Sequence, residues 1–128
     1  MKCIFSTLIL LVFFISSNAQ TVTQVKTLGC IEGNCNEGTG KFLFSNGDKF
    51  NGEWHGGMRS GYGRYDFKNG NWYIGDFKND IIEGKGVFHA SNGKVISGEW
   101  FNYELVKVDK PEDSPSLHMK LPIMQNKK

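Results

Sequence analysis

The stretch that decides the fold is Phe42-Leu43-Phe44-Ser45-Asn46-Gly47-Asp48-Lys49-Phe50-Asn51-Gly52-Glu53-Trp54. Asn-Gly between two runs of alternating apolar and polar residues is the strongest short-range hairpin signal. Parity then fixes the register, because residues opposite each other share a face and a one-residue slip moves every ring to the other side. A two-residue loop at Asn46-Gly47 would set Phe44 opposite Lys49. A three-residue loop, Ser45-Asn46-Gly47 with Gly47 left-handed as a bulge, sets Phe42 opposite Phe50, Gly40 opposite Gly52 and Gly38 opposite Trp54. In that register the ring of Trp54 would lie over a bare glycine.

The hairpin recurs with a period of 23 residues. The pairs Gly38/Gly40, Gly61/Gly63 and Gly84/Gly86 follow that step. So do the turns Asn46-Gly47, Asn69-Gly70 and Asn92-Gly93, and the series Gly52, Gly75, Gly98. The three-residue loop gives Tyr65 opposite Tyr73, Gly63 opposite Gly75 and Gly61 opposite Phe77 in the second unit. In the third it gives Phe88 opposite Ile96, Gly86 opposite Gly98 and Gly84 opposite Trp100. A fixed period of this length marks a repeat array. The expected fold is all-β: one elongated antiparallel sheet of tandem hairpins over residues 29–107, in units of about 38–60, 61–83 and 84–106. Stepping back from Gly52 lands on Gly29, so 29–37 reads as half a unit. Trp100 to Lys107 reads as a continuing edge strand. Residues 108–128 lose the period and carry Pro111, Pro115 and Pro122, as in a disordered or loosely docked tail; Leu117 to Met124 is the part able to dock.

Ahead of the array, Lys2 and an apolar run from Ile4 to Ile15 precede Ser17-Asn18-Ala19, the pattern of a signal peptide over 1–19 with cleavage before Gln20. Residues 20–28 are then a lead-in. A transmembrane anchor needs about 20 apolar residues, and Ser16, Ser17 and Asn18 stop the run short of that. The expected location is periplasmic or extracellular. Cleavage removes Cys3 and leaves Cys30 and Cys35, an even count that favours a disulfide in an exported chain; the intervening Gly33 lets the chain double back.

Composition limits function more than it specifies it. With 15 Lys+Arg, 13 Asp+Glu and a net charge of +2, scattered in both signs, no nucleic-acid footprint is visible. His55, His89 and His118 read as solvated, without a nucleophile in a recognisable pattern, and none has zinc-ligand spacing. Glu53, Asp76 and Glu99 read as outward residues of alternating strands. No catalytic residue, metal site or cofactor is expected. The face rows Phe42, Phe50, Trp54, Tyr65, Tyr73, Phe77, Phe88 and Trp100 read first as packing. A single-layer sheet cannot cover both faces, however, so Trp54, Tyr65, Tyr73, Phe77 and Trp100 are also candidates for a partner surface.

The repeated segments Phe50-Asn51-Gly52-Glu53-Trp54 leading to Gly61-Tyr62-Gly63, and Tyr73-Ile74-Gly75-Asp76-Phe77 leading to Gly84-Lys85-Gly86, resemble the membrane occupation and recognition nexus (MORN) repeat. The third copy, Ile96-Ser97-Gly98-Glu99-Trp100, departs from it, with Ile first and no Gly-x-Gly after, as suits a terminal unit. The resemblance covers about 29–101. It implies stacked hairpins with aromatic rows on one face, and a scaffolding, self-association or membrane-apposition role rather than catalysis. The leading expectation is an exported module for protein–protein interaction; the alternative is anionic-lipid binding, and a hydrolase is third.

Overall fold

The computed structural model describes residues 28–110, 119–122 and 124. The signal peptide expected over 1–19 and His118 lie outside the described residues. Eight strands follow one another in a single antiparallel sheet, each paired with its chain neighbours: β1 (Gly29–Gly33), β2 (Gly38–Leu43), β3 (Lys49–His55), β4 (Met58–Asp66), β5 (Trp72–Lys78), β6 (Ile81–His89), β7 (Val95–Phe101) and β8 (Glu104–Val108).

Within the repeats the pairing is the one parity requires. Phe42 faces Phe50, Gly40 faces Gly52 and Gly38 faces Trp54. The second and third hairpins repeat this with Tyr65 and Tyr73, then Phe88 and Ile96. The loops are three residues long: Phe44 N–H donates to Asp48 O at 3.0 Å, and Gly47 sits at φ 95°. That left-handed angle is open to glycine without a Cβ clash, and Gly70 and Gly93 adopt it at φ 92° and 90°. The side chains of Asn46, Asn69 and Asn92 close each loop by accepting the N–H two residues on.

Between repeats a second kind of hairpin appears, turning on Gly56-Gly57, Asn79-Asp80 and Asn102-Tyr103. Both residues of each turn have positive φ, as a two-residue type I′ turn requires. The third of these corrects the reading of Trp100 to Lys107 as one continuous strand: the chain reverses at Asn102-Tyr103, and β8 returns along β7. β1 stands where the half-unit at 29–37 would, but Gly33, not Gly29, faces Gly40. The turn there is closed differently, by Asn34 Oδ1 accepting the N–H groups of Asn36 and Glu37, both at 3.0 Å.

The rungs between repeats are not regular. Gly52 pairs with Gly63 and Trp54 with Arg59, leaving three residues of β4 against Glu53 alone; β5 and β6 do the same around Asp76. Such bulges bend a sheet and sharpen its twist. The aromatic face is the inside of the bend. Rings on alternate strands, whose backbones would lie about 9–10 Å apart in a flat sheet, meet directly. Phe50 and Phe77 have centroids 4.9 Å apart, and Tyr73 and Trp100 5.8 Å. One sheet thus closes a core on itself, and β3, β5 and β7 alternate strictly between buried and outward residues.

Met119, Leu121 and Met124 of the tail join this core. Leu105 N–H donates to Met119 O at 2.9 Å, Leu121 N–H to Tyr103 O at 2.8 Å, and Leu121 and Met124 are buried. Two apolar anchors thus cover the end of the core beside the start of β8.

Candidate functional site

The aromatics read first as packing and second as a partner surface are buried. Trp54 is 3% exposed, Tyr65 and Tyr73 0%, Phe77 3% and Trp100 2%. Packing, the first reading of these rings, is what their burial shows, and the second reading, an open partner surface, does not fit it; the reason is the bend, since a flat sheet would leave that face bare. Each polar tip is also satisfied inside. Trp54 Nε1–H donates to Gly40 O at 2.9 Å and Trp100 Nε1–H to Gly86 O at 3.1 Å. Tyr65 O–H donates to Asp48 Oδ2 at 2.7 Å. Burial, with the charge of Asp76 adding to it, pushes the Tyr73 hydroxyl well above its ordinary range.

The glycines make room for these rings, though not where the facing residue alone would place them. At Gly38, opposite Trp54, a Cβ would meet only Asn34. The ring contact falls on the next rung and on the neighbouring strand: a Cβ at Gly63 would lie 2.4 Å from Phe50 Cζ, and one at Gly86 would strike the Tyr73 ring. The repeated acids are not simply outward-facing either. Glu53 Oε2 accepts Tyr62 N–H at 2.7 Å, and Asp76 Oδ2 accepts Lys85 N–H at 3.0 Å. Each carboxylate therefore caps a bulge, and a Cβ at Gly61 or Gly84 would collide with it. Glu99 departs from the pattern: Lys107 stands where Gly61 and Gly84 stand, and its Nζ lies 3.4 Å from the Glu99 carboxylate.

Sequence reasoning missed Arg59. It is 1% exposed, with its guanidinium carbon 5.3 Å from the Tyr65 ring centroid and 5.7–5.9 Å from those of Phe44, Phe50 and Phe77. Nε donates to Asp80 Oδ1 at 3.1 Å and Nη2 to Asp80 O at 2.9 Å. This pair ties the first repeat to the turn of the second. The 23-residue step carried a signal, since Arg59 shares a column with Ile82 and Leu105, both fully buried.

What remains outward is a different set. Across the outer face one row runs Lys49, Asp66, Trp72, His89, Val95 and the next Asn51, Arg64, Ile74, Val87, Ser97. Trp72 and His89 stack with centroids 3.5 Å apart and planes 12° from parallel. The Arg64 guanidinium carbon lies 4.1 Å from the Trp72 centroid, and Arg64 forks onto Asp66 with Nη2–Oδ1 at 2.7 Å. Burial, then the nearby charge of Arg64, lowers the His89 pKa below its ordinary 6.5. Beside this stack, Thr39, Asn51, Glu53, Tyr62, Arg64 and Ile74 line a shallow groove of about 410 Å³. Tyr62, 57% exposed, forms its rim.

The MORN repeat pattern matches residues 37–49, 50–72 and 73–95 in unbroken succession. The chain carries MORN repeats. MORN repeats are typically non-catalytic and commonly mediate protein or membrane-lipid interactions. Within the matched segment lie the Phe50–Gly63 and Tyr73–Gly86 packing positions, both carboxylate-capped bulges, and the Arg64, Trp72 and His89 stack. Among curated proteins, no sequence matches the chain. Cys30 and Cys35 are joined in a disulfide with Cα atoms 5.8 Å apart, at the N-terminal edge just outside the matched repeats.

Proposed function

We propose that this MORN-repeat protein is an exported, non-catalytic interaction module that binds a protein partner through the outer face of its sheet, with Tyr62, Arg64 and Trp72 at the contact. The observation that carries this is a division of labour between the faces. The inner aromatics are used up in the core, while the outer face holds an exposed Tyr, a stacked Trp and an Arg set around a groove. Tyr, Trp and Arg are the residue types enriched in binding hot spots. Stacking between Arg64 and His89 holds the Trp72 ring in place before binding, which reduces the ordering cost of association. Export is supported by the signal-peptide pattern over 1–19 and by the Cys30–Cys35 disulfide, which suits an oxidising compartment.

The test is crosslinking in the native compartment and affinity purification of the tagged protein, comparing wild type with Trp72→Ala and Tyr62→Ala. A protein retained by wild type and lost from both variants, with unchanged circular dichroism, supports the reading. Equal retention by all three removes the outer face from the account. Salt-sensitive binding to anionic vesicles, lost in the same variants, would replace the protein partner with a lipid surface.

A further inference from the structure

The N-terminal strand is attached to the sheet unlike any other. No side chain of β1 is buried: Cys30, Ile31 and Glu32 are all exposed, and two of its five residues are glycine. Its tether is covalent. Cys35 is 3% exposed and belongs to the core, with its Sγ packed over Gly40, whereas Cys30 lies at the surface. The turn that joins β1 to β2 is anchored independently of the disulfide. Gly57 N–H donates to Asn36 O at 3.0 Å, Gly56 N–H donates to Glu37 Oε1 at 2.8 Å, and His55 Nδ1 lies 2.9 Å from Glu37 Oε2. A fixed turn thus carries a strand with no apolar anchor of its own, latched by one bond whose outer sulfur belongs to an exposed residue.

We propose that the Cys30–Cys35 disulfide is a redox latch: reduction by a dithiol frees β1 from the fixed turn and uncovers the edge of β2, while the repeats stay folded. One thiolate of the dithiol attacks Cys30 Sγ, forming a mixed disulfide and releasing Cys35 as a thiolate, which takes a proton from solvent. The second thiolate of the dithiol then attacks its own sulfur in the mixed disulfide and releases Cys30. The protein disulfide gains two electrons and two protons, and the dithiol becomes a cyclic disulfide. Among the described residues, what remains to hold β1 is its ladder to β2 and an exposed Lys41–Glu32 pair at 2.9 Å, and exposed pairs contribute little. The opened edge of β2, with its ladder groups turned to solvent, is a template for strand addition that the oxidised chain keeps covered.

The experiment is amide hydrogen exchange with mass readout on the full chain, oxidised, reduced with dithiothreitol and reoxidised, alongside Cys30→Ser, which leaves the core position Cys35 in place. Reduction and Cys30→Ser are both expected to speed exchange in 29–33 and 38–43 by about tenfold or more, with 58–101 unchanged and protection restored on reoxidation. Unchanged exchange in 29–33 would overturn the latch, because β1 would then be held without the bond. Faster exchange across 58–101 would overturn it too, because the bond would then support the whole fold.

Discussion

Adding one methyl group at Gly63 probes the packing most sharply. The new Cβ would stand 2.4 Å from Phe50 Cζ and 2.6 Å from Cε2, against about 3.5–4.0 Å for an ordinary carbon contact. The ring has no room to retreat, being 0% exposed and set edge-on to Trp54 at 5.1 Å and Phe77 at 4.9 Å. Overpacking of this kind costs about 1–3 kcal/mol, and losing the Phe50 packing altogether about 3–5. The narrower unfolded ensemble of alanine returns roughly 0.5–1 kcal/mol. Gly63→Ala should therefore destabilise by about 2–3 kcal/mol, a fall in Tm of about 10–20 °C for a domain of this size. Urea denaturation followed by far-ultraviolet circular dichroism measures it. The cause is isolated by a cycle with Phe50→Leu, which withdraws the clashing ring atoms: Gly63→Ala should then cost under about 1 kcal/mol, a coupling of at least about 1–2. Gly93→Ala is the control, with nothing within 4 Å and φ 90°; it should cost about 1–2 kcal/mol from the backbone alone. Additivity of Gly63→Ala and Phe50→Leu within about 0.5 kcal/mol would refute the packing argument.

Two other perturbations have a defined direction. Asp80→Asn keeps a residue suited to positive φ but leaves the Arg59 charge buried without its counter-ion. It should cost about 3 kcal/mol by urea denaturation, the lower end of the usual range because the Asp80 side chain is 19% exposed. Adding Arg59→Leu should recover most of this, since Ile82 and Leu105 fill the same column in the next units; no recovery would mean the pair has a role beyond balancing charge. For His89 the folded pKa lies below the ordinary 6.5. As pH falls the unfolded chain takes the proton first, so the stability contribution is complete above 6.5 and lost as pH falls through the lowered value. Titration by NMR should give a midpoint under 6.5 that Arg64→Met raises only part of the way, because burial is the larger cause. A wild-type midpoint at or above 6.5 would contradict the stack.

The strand pairing was legible because it follows from local chemistry. Asn-Gly at a fixed step, with a left-handed glycine, determines which residues face each other within each unit, and every such pair in the three hairpins follows from it. Closure of the core was not legible in the same way. Parity treats a sheet as flat, and a flat sheet leaves Trp54 and Tyr73 on an open face. The bend depends on the second set of hairpins, where Glu53 and Asp76 each oppose three residues. The turn signals Gly56-Gly57 and Asn79-Asp80 carry that information once they are set beside the Gly52–Gly63 pairing. Arg59 was hidden for a related reason: its surroundings come from Phe44, Phe50, Tyr65 and Phe77, residues on several strands that only the bend brings together. Once those rings are enclosed, the outer Arg64, Trp72 and His89 become the informative set, although spacing alone gave no reason to single them out.

With the aromatic row in the core and the outer face free to bind, the two faces should differ in solvent reactivity. Hydroxyl-radical footprinting of the purified protein tests this residue by residue. Strong labelling of Tyr62, partial labelling of Trp72, and none above background at Trp54, Tyr65, Tyr73, Phe77 and Trp100 are expected. Labelling of Trp54 or Tyr73 at the level of Tyr62 in the folded chain would contradict it, and would return the inner row to the surface.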